Sequence, residues 1–173
     1  GLHVMFEALR HLRREGRVRV QLSIIGAGGL EAACREQARL SNDDVQLDVL
    51  DPVPYGEPFF ALLRRFDAVL VPSLADEQPR IVYDAYSQAL PVLASATPGL
   101  QTCVTEGVNG RLFAPADAQA LADTVRWAAE QPMAAYLATS TIGQFQVERK
   151  RFDGLESVVA VDPREARAAK RPL

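Results

Sequence analysis

Short apolar runs recurring between amphipathic segments restrict what this chain can fold into more than any other feature of it. VRVQLSIIGAGG alternates at Val18, Val20, Leu22 and Ile24, then halts at Gly26, Gly28 and Gly29 before LEAACREQARL takes up a helical period. VQLDVL at residues 45–50 predicts a second strand, residues 57–65 a short helix, and DAVLVPS at 67–73 a third strand. The uninterrupted apolar run at 68–71 fits a parallel strand buried on both faces. A helix over 81–88, a fourth strand in LPVLAS and a turn at Thr97, Pro98 and Gly99 continue the alternation. Asn109-Gly110 signals a turn before RLF, and Asp117 is placed to cap a helix lined by Leu121, Ala122, Val125, Ala128 and Ala129. The fold expected is α/β, a single Rossmann-like, doubly wound parallel sheet with helices on both faces. Ligands of such sheets sit beyond the carboxyl ends of the strands, so the loops after Ile25, Leu50, Val71 and Ser95 are expected to share one edge.

At 173 residues and 48% hydrophobic composition the chain suits one globular domain with a sizeable core. We expect residues 1–147 to form that domain and 148–173 a C-terminal extension, partly disordered, because VDPREARAAKRPL is polar and Arg-rich. GLHVMFEALRHLRR opens directly on helical periodicity at Leu2, Met5, Phe6, Leu9 and Leu12, as in a chain cut from a larger protein. Its arginines are expected on a solvated outer face. A net charge of -3 excludes a nucleic-acid binder that relies on a global basic footprint. Cys34 and Cys103, with only His3 and His11 to join them, offer neither a disulfide framework nor a zinc site. No apolar run approaches the roughly 20 residues of a membrane span. The compartment expected is cytoplasmic, peripheral attachment at the inner membrane face being compatible with it.

Two places can carry chemistry. GAGG fails as a dinucleotide fingerprint, since Glu31 stands where G-x-G-x-x-G requires its last glycine, which disfavours a dehydrogenase. It is either a tight turn that lets helix and strand pack or a backbone approach to a phosphate. The second place is VPSLADEQPRIVYDA, where a buried strand opens into a loop and helix bearing Asp76 and, eight residues on, Asp84. Backbone N–H groups of Arg80, Ile81 and Val82 at a helix N-terminus favour an anion such as a diphosphate, Arg80 adds charge, and Pro79 suits the first turn. Asp84 can accept two hydrogen bonds from a vicinal diol, and Asp76 can reach sugar hydroxyls. Equally, Asp76 and Glu77 can cap the helix while Asp84 is a solvated side chain.

The run from Val20 to Ala129, about two-thirds of the chain, resembles the C-terminal, donor-binding half of the retaining GT-B enzymes called glycosyl transferases group 1. Four elements carry the resemblance in order: LSIIGAGGLE, the family's strand and glycine turn; FFALLRRFDAVLVPSLADEQPRIVYDA, its P-S-x-x-E-x7-E-A segment; LPVLAS, its G-x-P-V-I-A strand; and EGVNGRLFAPAD. The resemblance implies transfer of a sugar from a nucleotide sugar to an acceptor with retention, without metal or other cofactor. It makes Asp76 the catalytic-site contact to the donor sugar and Asp84 the ribose ligand, with Gln78, Pro79, Arg80 and Ile81 beside the diphosphate. Gly26 and Gly28 join the donor site. Pro52 and Val53 fall where the family contacts the nucleobase, and Thr97 and Gly99 where it has a loop near sugar and phosphates. The partners implied are the nucleotide sugar, an N-terminal GT-B domain needed for turnover, and a glycan or lipid-linked acceptor.

The chain departs from the family at several points. Asp replaces Glu at 76 and 84, Ala89 stands where glycine is preferred before P-V, Pro98 replaces a glycine, and Thr102 replaces an acid. The family also places an Arg and a Lys just before the first helix, whereas the only lysines here are Lys150 and Lys170. A divergent, inactive glycosyltransferase-like binding or scaffold module is therefore the alternative function.

Overall fold

The structure is a computed structural model that describes residues 1–75, 79–130 and the backbone of 156–161. Strands β1 (Val20–Ile25), β2 (Val45–Leu50), β3 (Ala68–Val71), β4 (Val92–Ser95), β5 (Gly110–Phe113) and β6 (Glu156–Val161) form one sheet in the order β2-β1-β6-β3-β4-β5. Every pairing is parallel, with Ile25 opposite Leu50 and Val71 opposite Ala94. The loops after Ile25, Leu50, Val71 and Ser95 accordingly leave from one edge, as the alternation of elements predicted.

Helices α1 (Leu2–Glu15), α2 (Glu31–Arg39), α3 (Glu57–Leu63), α4 (Arg80–Ser87), α5 (Pro98–Gln101) and α6 (Ala118–Glu130) divide between the two faces. The period of two decides which strand residue serves which face. Ala68 and Leu70 pack with Met5, Leu9 and Leu12 of α1 and Leu121 and Val125 of α6; Val69 and Val71 pack with Leu63 of α3, Ile81 and Val82 of α4 and Leu100 of α5. β3 and β4 are buried along their whole length. Alternation at Val20, Leu22 and Ile24 is only part of the pattern in β1, because Ser23 and Ile25 are buried too. Among the described residues no helix is long and apolar enough to cross a membrane.

Local chemistry sets where the helices stop. α1 ends at Gly16, whose φ of 57° is left-handed and whose N–H bonds to the Leu12 carbonyl. α4 ends in a Schellman motif: the Ala89 N–H donates to the Tyr86 carbonyl at 3.0 Å and the Leu90 N–H to the Ala85 carbonyl at 2.9 Å. The left-handed position of that motif belongs to Ala89, at φ 55°, a conformation that glycine adopts without strain. Asp117 caps α6 as expected, its Oδ1 accepting from the Ala120 N–H at 2.9 Å.

Three expectations change. Thr97-Pro98-Gly99 is not a free turn but the cap and first residues of α5, because Pro98 is pre-set for a first helical turn. Gly110 does not supply the turn before β5: positive φ falls on Gly107 at 75°, and Gly110 opens the strand. The third concerns residues 156–161, which lie in the C-terminal extension and carry no strand in the sequence reading. Their backbone forms β6, parallel to β1 on one side and β3 on the other. The run Val158-Val159-Ala160-Val161 carries strand-forming β-branched residues, but it stands apart from the strand–helix alternation that marks the other strands, and nothing beside it along the chain says which strands it joins.

Candidate functional site

The carboxyl edge of the sheet is shaped by four segments. At the first, Gly26 takes φ 147°, its N–H bonds to the Leu50 carbonyl at 3.2 Å, and the chain turns through Gly28 into α2. This turn lines a cleft of about 240 Å³ with Leu2, Ile24, Glu31, Cys34 and Val49. The N-terminus of α1 reaches the same edge from the other side: a Cβ on Gly1 would lie 1.5 Å from the Pro72 carbonyl oxygen, directly after β3.

At the second segment, the loop after β2 carries Pro52, exposed, and Val53, half-buried against the core, and leads to Tyr55. Tyr55 is where this loop meets α4. Its hydroxyl donates to Asp84 Oδ1 at 2.9 Å, and its ring lies 3.9 Å from the Arg80 guanidinium. The ring is backed by Phe60, edge-on at 5.5 Å, and Phe59 at 5.9 Å. Arg80 Nε closes the cluster at 3.6 Å from the same Asp84 oxygen, one helical turn apart.

Asp84 is therefore not the solvated side chain that the residues alone allowed. It is 13% exposed and held by two neighbours, both addressing Oδ1. Oδ2 is the oxygen with which it can accept a hydroxyl and give up neither contact. The Tyr55 phenol is pushed up from the ordinary tyrosine value, first by loss of solvent and then by the Asp84 hydrogen bond and charge, with Arg80 opposing.

The third segment is the start of α4. Pro79 is its N-cap, one position earlier than its first turn, with φ -70° and ψ 135°. Ile81 contributes its side chain to the core, so only its backbone can serve a ligand. Of the three N–H groups expected for a diphosphate, that of Val82 is taken by the Pro79 carbonyl at 3.1 Å. Arg80 turns its Nε to Asp84 at 3.6 Å and lays its guanidinium over the Tyr55 ring. Asp76 and Gln78 lie outside the described residues.

The fourth segment follows β4. Ser95 and Thr97 are 1% and 5% exposed, yet neither hydroxyl has a hydrogen-bond partner among the described residues. Buried hydroxyls in that condition call for an explanation. Tyr86 of α4 ties α5 into place by donating to the Cys103 carbonyl at 2.9 Å. Gly99 offers its carbonyl to Thr102 Oγ1 at 2.7 Å.

The structure thus brings Asp84 and Arg80 together, and Gly26 with Gly28, while the glycine cleft is lined by none of Pro52, Val53, Arg80, Asp84 or Thr97. Tyr55 and Ser95 escaped the sequence reading. Tyr55 stands 29 residues from Asp84 with no local pattern to join them, whereas a serine ending a buried strand at the ligand edge was a usable signal for Ser95.

Fold and edge together define an α/β domain of Rossmann-like architecture whose polar groups gather beyond the strand ends. Residues 1–131 match the family described as glycosyl transferases group 1, and the chain belongs to that family. It is 30% identical over 138 residues to a D-inositol 3-phosphate glycosyltransferase from Frankia alni, covering 75% of this chain and 33% of that protein. It is 34% identical over 130 residues to the protein of that name from Xylanimonas cellulosilytica, covering 72% and 30%. A putative colanic acid biosynthesis glycosyltransferase, WcaL, from Salmonella typhimurium is 30% identical over 131 residues, 70% of this chain and 31% of that one. The chain spans about a third of the length of these curated relatives. Among solved structures, it is similar in fold to the apo lipopolysaccharide outer core galactosyltransferase WaaB, with TM-score 0.57 at 18% identity over 83% of this chain and 40% of that one. Anabaena Alr3699/HepE, solved with UDP and glucose, gives TM-score 0.51 at 22% identity over 83% and 42%.

Proposed function

We infer that this chain is the C-terminal, donor-binding half of a retaining, metal-independent GT-B glycosyltransferase that transfers a sugar from a nucleoside diphosphate sugar to an acceptor. What supports the reading above all is Asp84, a partly buried carboxylate fixed at the ligand edge with one oxygen left to accept hydroxyls. In this reading Oδ2 takes the ribose diol. The Arg80 guanidinium and the N–H groups opening α4 neutralise the leaving diphosphate, work that a helix N-terminus and a cation can do without a metal. Asp76 meets the hydroxyls of the donor sugar, Thr97 and Gly99 lie beside sugar and phosphates, and Pro52 and Val53 border the base. The Ser95 and Thr97 hydroxyls lie beneath this edge, buried and without a hydrogen-bond partner among the described residues. An N-terminal domain supplies the acceptor site, so the chain by itself binds donor without turnover.

Titration calorimetry with UDP, GDP and their sugars tests this. Wild type is expected to bind one of them, and Asp84→Ala to weaken it by on the order of 1.5–3 kcal/mol, as for a hydrogen bond to a charged group. Absence of binding to all of them sinks the donor-site reading. Binding that ignores Asp84→Ala favours a divergent module whose carboxylate has no ligand.

A further inference from the structure

The donor-site reading uses Asp84, Arg80 and the loop at Pro52 and Val53, but leaves out the residue that joins them. Tyr55 touches all three parts at once. Its hydroxyl holds Asp84 Oδ1 at 2.9 Å, its ring face carries the Arg80 guanidinium at 3.9 Å, and its backbone continues the loop from Val53. Phe59 and Phe60 at the start of α3 brace the ring from below, at 5.9 and 5.5 Å, so the tyrosine is itself held. Without it, Asp84 would retain, among the described residues, only the 3.6 Å contact from Arg80 Nε, and that pair sits on one helix face with Arg80 48% exposed. Exposed pairs of this kind hold a side chain weakly. A single hydrogen bond from a braced aromatic ring is the stronger restraint, because the ring has few rotatable bonds to fix.

We propose that Tyr55 is a positioning residue for nucleotide recognition: it keeps Asp84 Oδ1 occupied so that Oδ2 faces the ribose hydroxyls, and it holds Arg80 and the base-side loop in register with it. This deepens the donor-site reading and rests on it. Tyr55 contacts no reacting atom in the scheme; it acts through Asp84 and Arg80. Its contribution should therefore appear as discrimination at the ribose and not as a uniform loss of binding.

The experiment compares UDP and GDP with their 2′-deoxy counterparts, by calorimetry, on wild type, Tyr55→Phe and Tyr55→Ala. Wild type should prefer the ribonucleotide. Tyr55→Phe keeps the ring under Arg80 and loses only the hydroxyl, so ribonucleotide affinity should fall about fivefold, the effect of one hydrogen bond, with little change for the deoxy form. Tyr55→Ala should abolish the preference and weaken both forms further as Arg80 is released. Equal losses for ribo and deoxy nucleotides in Tyr55→Phe would reduce Tyr55 to loop packing and overturn the proposal. Unchanged or tighter ribonucleotide binding would overturn it as well, the latter making Tyr55 an occluding group. If wild type binds none of the four nucleotides, the donor-site reading itself fails, an outcome distinct from binding that ignores Tyr55.

Discussion

Tyr55 and Asp84, 29 residues apart in sequence, share a hydrogen bond of 2.9 Å that ties the loop after β2 to the helix after β3. The bond has a titration signature. Burial and the Asp84 carboxylate together raise the Tyr55 phenol above 10.0, its reference value, since both disfavour the phenolate. A raised acid of this kind favours the folded state while neutral: its contribution is complete below the unfolded value and is lost as pH climbs through the folded one. Asp84→Asn removes the charge, so the phenol should titrate at lower pH than in wild type. Carbon-13 labelled tyrosine followed by NMR through alkaline pH measures this, and an unmoved Tyr55 resonance would break the link.

Ala89 sits at φ 55° in the left-handed position of the α4 Schellman motif, where an L side chain meets the following carbonyl. Ala89→Gly relieves that conflict. Its cost is a more flexible unfolded chain, smaller than the strain removed. We expect a gain of about 1 kcal/mol, visible as a higher urea midpoint with an unchanged slope.

Thr97 buries a hydroxyl that finds no partner among the described residues, and makes no side-chain cap to α5. Thr97→Val keeps the branched shape and removes the unpaired group. Stability should rise by about 1 kcal/mol while affinity for the nucleotide sugar falls, opposite signs from one substitution. A paired measurement of melting temperature and calorimetric affinity checks both, and a loss of stability would show that the hydroxyl is satisfied in solution.

Gly110 lets β5 approach β4: a Cβ there would lie 2.1 Å from the Val92 carbonyl oxygen and 2.8 Å from Val104 Cγ1. Gly110→Ala must push the backbone apart or break the pairing of Gly110 with Val92. A loss of roughly 3 kcal/mol or more is expected on denaturant unfolding, at the upper end of overpacking costs. Gly107→Ala, at φ 75° with open space around its Cβ, should cost less, about 1 kcal/mol of backbone strain.

Much of this fold is legible in the residues because its signals are local. The apolar run at β3 and the glycine stop after β1 mark strands wherever the chain places them, and Asp117 announces α6 three residues ahead of the N–H it caps. Thr97-Pro98-Gly99 reads as a turn yet opens α5, because Pro98 serves a turn and a first helical residue equally well. Asn109-Gly110 reads as a turn, whereas Gly110 answers to its close approach to β4, which leaves no mark on the sequence around it.

The candidate site divides along the same line. Sequence alone determined that polar residues follow the strand ends, that Asp84 lies one turn into a helix, and that the ordered set of elements belongs to a sugar-transferase family, since each depends on neighbours along the chain. Only the tertiary structure decided that Asp84 is sheltered and addressed by Tyr55 and Arg80 at one oxygen, that the hydroxyls of Ser95 and Thr97 are buried without partners among the described residues, and that residues 156–161 run between β1 and β3. Burial, a hydrogen bond across 29 residues and the choice of a strand's neighbours arise when segments distant in sequence close on one another, and periodicity carries no information about that closure.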